Sequence, residues 1–83
     1  MNALQAKIAA ADTEMLLITA ANLQNMKLTT AAEFMTEAEV LEELVRRCPE
    51  TAAPVEAWIA DYESEMTMLE VILANINEMP QAA

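Results

Sequence analysis

The chain contains no glycine, no histidine and one cysteine, and its only aromatic residues are Phe34, Trp58 and Tyr62. Without glycine there is no Walker-type phosphate loop, no dinucleotide-binding turn, no EF-hand loop and no tight Asn-Gly hairpin. Without histidine most catalytic triads, zinc sites and proton shuttles are excluded. Cys48 alone cannot close an intramolecular disulfide, and no zinc-ligand spacing is present. The longest run of large apolar residues, Met15 to Ile18, is far short of the roughly 20 residues that span a bilayer. Met1-Asn2-Ala3-Leu4 lacks a basic stretch leading into an apolar one, so no secretory signal and a cytoplasmic location are expected. Basic residues are also scarce: four against 14 acids, a net charge of −10. That balance speaks against direct binding of nucleic acid or an anionic membrane, since both require clustered Lys and Arg.

A length of 83 residues suits one domain, residues 1–83. The hydrophobic fraction is 55%, but 17 of those residues are alanine, which in a glycine-free chain favours helix. The core must come mainly from Leu, Ile, Val and Met. Cores of this size rarely supply more than about 3–5 kcal/mol, so with disulfide and metal excluded, self-association is the expected reinforcement.

Helical periodicity divides the chain into three segments. The first runs from about residue 2 to 27, with Leu4, Ile8, Ala11, Met15 and Ile18 on one face. The second, 31–48, starts at the capping box Thr30-Ala31-Ala32-Glu33 and ends before Pro49, with Phe34, Ala38, Leu41, Val45 and Cys48 as its stripe. Thr36-Glu37-Ala38-Glu39 offers an alternative start, and continuity of the first two segments stays open. Glu42 with Arg46 and Glu43 with Arg47 form i,i+4 pairs. The third, 54–78, has Pro54 in its first turn and a heptad seam of Val55, Ile59, Tyr62, Met66, Leu69, Leu73 and Ile76. Residues 80–83 read as a frayed tail.

At about 1.5 Å per residue the segments are roughly 39, 27 and 37 Å long, so the middle one is too short to cover the others. The expected fold is therefore an all-α, three-segment bundle that dimerises into a larger one, with the seam residues at its core or its dimer contact.

No residue pattern points to catalysis, and no cofactor or metal site is expected. Cys48 falls on an apolar stripe at a helix C-terminus, where the helix dipole disfavours a thiolate and no histidine is available as base. The charge distribution is more informative. Residues 1 to 47 hold seven acids and four bases; residues 48 to 83 hold seven acids and no base. Glu56, Asp61, Glu63 and Glu70 thus line the outside of an entirely acidic third helix, a solubilising face or a docking surface for a basic partner. Trp58 is the candidate interface anchor, and Met35 and Met68 are candidate adaptable contacts beside polar positions.

These features lead to an expected non-enzymatic, acidic helical interaction module that binds and modulates, and in the sharpest form inhibits, a protein offering a basic or apolar groove. Two other readings follow from the same composition: an acidic mimic of nucleic acid that blocks a DNA- or RNA-binding enzyme, and a structural subunit or adaptor of a larger assembly. In size, acidity and missing catalytic residues, though in no motif, the chain resembles small phage-encoded inhibitors of host proteins.

Overall fold

The computed structural model describes residues 2–76, and among these the regular structure is five α-helices and one 3₁₀ turn. They are α1 (Ala3–Ala10), α2 (Thr13–Asn25), α3 (Ala31–Arg47), the 3₁₀ turn Pro49–Thr51, α4 (Ala52–Ala60) and α5 (Met68–Asn75). No strand occurs among the described residues. The expected end of the third segment at 78, Met79 and the tail 80–83 lie outside them.

Side-chain caps set most of the helix starts. Asn2 and Gln5 form a capping box at α1, Thr30 and Glu33 at α3, and Thr67 and Glu70 at α5. Asp12 caps α2 by accepting from the Met15 amide at 2.8 Å. Each such cap contributes about 1 kcal/mol by satisfying an amide the helix cannot. At α4 the arrangement differs: Thr51, fully buried, turns its hydroxyl back to donate to the Cys48 carbonyl at 2.7 Å. This bond satisfies a hydroxyl that water cannot reach and fixes the turn between α3 and α4.

The middle segment forms as expected, within one residue of its end, with Cys48 as the C-cap. Thr36 sits inside this helix and donates to the Ala32 carbonyl at 2.8 Å, so the start at Thr30 is the one used. The outer segments differ from expectation. The first is two helices, because Ala11 and Asp12 adopt extended backbone and the Asp12 carboxylate captures the next helix start. The third is also two helices, separated by residues 61–67, because Thr67 and Glu70 cap a new start where the heptad count runs on unbroken.

Each break resets the phase of the stripe behind it. In α2 the buried residues are Leu16 and Ala20, while Met15 and Ile18, placed on the core face by counting from Leu4, are 53% and 49% exposed. In α3 the buried row is Val40, Leu41 and Leu44, and Phe34 is 55% exposed. The heptad seam does not survive as one stripe. Val55 and Leu69 are buried and Ile76 is partly buried, but Ile59 is 62% and Tyr62 97% exposed, with Met66 and Leu73 exposed too.

The relative lengths of the helices are the reverse of those expected. At 17 residues α3 is the longest helix among those described, and it packs against α1, α2, α5 and the 3₁₀ turn. The buried residues, Leu44 and Ile72 foremost, form one cluster around it. Both outer segments, expected as straight helices of roughly 39 and 37 Å, are broken into pieces of 13 residues or fewer.

Candidate partner-binding cleft

The two breaks are held in different ways, and the difference locates the candidate site. At the first, Arg47 from the last turn of α3 reaches across to α1 and α2. Its Nη2 donates to the carbonyls of Ile8 and Ala9 at 3.1 and 3.2 Å, its Nη1 to the Thr13 hydroxyl at 3.3 Å, and its Nε to Glu43 Oε2 at 2.8 Å. A guanidinium at the last carbonyls of α1 gives the Ala9 carbonyl a donor, adds a second to Ile8 beside the Ala11 amide, and complements the negative end of the helix dipole. Arg46 pairs with Glu43 as well, so the expected Glu42–Arg46 pair is replaced by one carboxylate serving both arginines. The hydrogen bond from Arg47, with the charge of both arginines, holds the Glu43 carboxyl below the usual range. Glu33 is lowered too, chiefly by the Thr30 hydroxyl and then by the amides of Thr29 and Thr30.

At the second break the loop 61–67 carries Asp61, Glu63 and Glu65, all exposed. It turns through the Asp61 carboxylate, which accepts from the Glu63 amide at 3.1 Å, and is tied back by the Trp58 indole, whose Nε1 donates to the Met66 carbonyl at 2.6 Å. The Thr67 hydroxyl donates to Gln24 Oε1 at 2.6 Å, joining the loop to α2.

Between this loop and the α2–α3 connection lies a cleft of about 610 Å³. One wall is Leu23, Met26 and Leu28 with Phe34, Ala38 and Leu41; the other is Trp58, Met66, Met68 and Leu69, and Gln24, Glu37 and Thr67 supply its polar groups. The size matches binding sites that take apolar groups with a few polar contacts. Three of the lining residues are methionines, whose flexible thioethers conform to irregular surfaces.

Of the residues singled out from sequence, Trp58 and Met68 come together at this cleft. Asp61 and Glu63 belong to the loop that leads into it. Met35 is exposed on α3 and is not in the lining. Glu56 lies with Met68 at a smaller hollow of about 250 Å³ beside α3 and α4. Glu70 serves the α5 capping box, accepting from the Thr67 amide at 3.2 Å. The expectation of one helix displaying all four acids is thereby corrected: the loop divides Glu56 from Glu70 and places Asp61 and Glu63 off any helix. Phe34 and Ala38, read as core, are instead exposed in a cleft wall, while Leu41 is buried as expected and closes the base of that wall. Sequence reasoning overlooks this wall and the loop, although Thr67-Met68-Leu69-Glu70 carries the same capping signature as Thr30 to Glu33.

Cys48 is half-buried at the α3 C-cap. Burial pushes its thiol pKa up, Glu50 adds to the rise and Arg47 opposes it, so the thiol is a poor nucleophile. Among the described residues no group of three or more His, Cys, Asp or Glu side chains converges as a metal site, and no helix is long and apolar enough to cross a membrane. Set against known protein families, curated proteins and solved structures, the chain matches none of them.

Proposed function

We propose that the chain is a non-enzymatic protein-interaction module that binds a partner protein in the cleft between α2, α3 and the α4–α5 loop, and modulates the partner by occupying its surface. The observation that carries this reading is the cleft, apolar on both walls and open enough that Met26, Phe34 and Met66 stay substantially exposed. An exposed apolar concavity rimmed by polar groups is characteristic of interaction sites. In this reading the groove belongs to the chain itself.

The test is site-directed cross-linking in the cell that makes the protein. A photo-reactive phenylalanine analogue replacing Ala38, in the cleft wall, should capture a protein partner; the same analogue replacing Ala57, exposed on α4 outside the lining, should not. Absence of any protein adduct at position 38 contradicts the proposal.

A homodimer belongs to the same proposal. Ile59 and Tyr62, largely bare on α4 and just beyond it, offer apolar surface outside the cleft for a second copy. Light scattering at micromolar concentration should return twice the 9.1 kDa chain mass, and a value of one chain mass removes the dimer.

A further inference from the structure

Accepting the cleft as a protein-binding site, we infer that its occupant is an amphipathic helix of the partner, with apolar side chains seated between Phe34 and Trp58 and Lys or Arg along its flank facing the acidic loop. Charge carries the choice. Glu37 lines the cleft, and the exposed acids Asp61, Glu63 and Glu65 run directly into Met66 in its wall. Lys27, between the lining residues Met26 and Leu28, is the one base adjacent in sequence to the lining, and residues 48–76 contain none. Repulsion from Glu37 and from the acids of the adjoining loop disfavours an acidic segment, whereas a cationic one is drawn in and oriented.

The form of the occupant follows from the walls. No strand occurs among the described residues, so there is no sheet edge to extend with a partner's strand. Both walls present side chains: Phe34, Ala38 and Leu41 at helical spacing on α3, against Trp58, Met66 and Met68. Side-chain walls of this kind receive the i, i+3, i+4, i+7 anchors of a helix laid in a groove.

Trp58 is the chain's single tryptophan and lines the cleft, so its emission reports occupancy directly. The probe is a short tryptophan-free amphipathic helical peptide of leucine and lysine, compared with the same peptide carrying glutamate in place of lysine. The lysine peptide should shift Trp58 emission saturably at micromolar concentration, and more weakly as salt is raised. The glutamate peptide should leave it unchanged. Asp61→Asn, Glu63→Gln and Glu65→Gln together should weaken binding about tenfold. Ala38→Glu makes the chain more acidic yet obstructs the cleft: binding in the cleft is lost, whereas attraction by net charge alone is strengthened. Circular dichroism confirms that each variant keeps its helicity.

Several results overturn the inference: equal response to both peptides, undiminished lysine-peptide binding by Ala38→Glu, or no response to either. So does a Trp58 shift produced by raising protein concentration alone, which assigns the cleft to a second copy, or one produced only by a small apolar dye. Cross-linking at position 38 is blind to the partner's charge, so it fails or succeeds separately from these peptide measurements.

Discussion

The helix break at Ala11 and Asp12 and the break over residues 61–67 are alike in sequence logic and opposite in construction. Each places a capping side chain, Asp12 or Thr67, inside what periodicity reads as one long helix. The first is two residues long and held by an arginine that bonds α1, α2 and its own helix together. The second is seven residues long, contains three acids and no base, and is tied by the Trp58 indole and the Thr67 hydroxyl. The first break therefore serves the fold, folding α1 back along α3. The second spends apolar and acidic residues on surface, and with the α2–α3 connection it builds the cleft.

Breaking the first junction should have the largest effect. Arg47→Ala removes charged hydrogen bonds to two carbonyls, a hydroxyl and a carboxylate, and should cost about 2–3 kcal/mol. In a domain of this size that lowers Tm by roughly 10 °C or more, measurable by calorimetry. Peptide binding in the cleft should be preserved at temperatures where the variant is folded, because Arg47 is not in the lining.

Trp58→Phe sharpens the comparison from the other side. The ring volume largely remains but the bond to the Met66 carbonyl is lost, at a cost of about 1 kcal/mol. Hydrogen exchange should accelerate in residues 61–67 and stay unchanged around Ala11 and Asp12. Equal acceleration at both breaks would show that they are coupled, against the division drawn here.

The smallest effect is that of acid. Glu43 has a carboxyl pKa below the ordinary glutamate value of about 4.3, so the folded state disfavours its protonation. Its contribution is present above the unfolded value and is lost as pH falls through the folded one. Urea midpoints at pH 6 and pH 3 should differ more in the native chain than in Glu43→Gln. The variant removes this carboxyl and leaves the remaining acids to titrate as before.

How much of this was legible in the sequence depends on whether the punctuation was chemical or periodic. The α3 helix is bounded by Thr30, Glu33 and Pro49, side chains whose effect on the backbone is local, and it forms where they place it. The all-helical class follows from alanine content and the missing glycine in the same direct way. In the outer segments the sequence signal is the spacing of apolar residues, and that spacing continues across a break. The row from Val55 to Ile76 keeps its seven-residue step although Tyr62 projects into solvent and Thr67 starts a new helix. Asp12 and Thr67 are the local signals of the two breaks, each set beside a regular apolar row that carries no trace of them. That Trp58 stands at an edge of the core, where it lines the cleft, was legible because its ring is large and amphipathic and falls off the heptad row. Phe34 was not, since an aromatic residue on a stripe is ordinarily core, and only the path of residues 61–67 leaves it facing a cleft.

In the proposed function the partner binds at the second break and the α2–α3 connection, while the Arg47 junction at the first break supports the fold. Titrating the isotopically labelled chain with the leucine–lysine peptide and following backbone amides by NMR tests it most directly. The account predicts perturbations concentrated in residues 23–41 and 58–69, with residues 8–13 and 43–47 unmoved. Perturbations centred on α1 and the Arg47 junction, or spread evenly over the acidic surface, would contradict it.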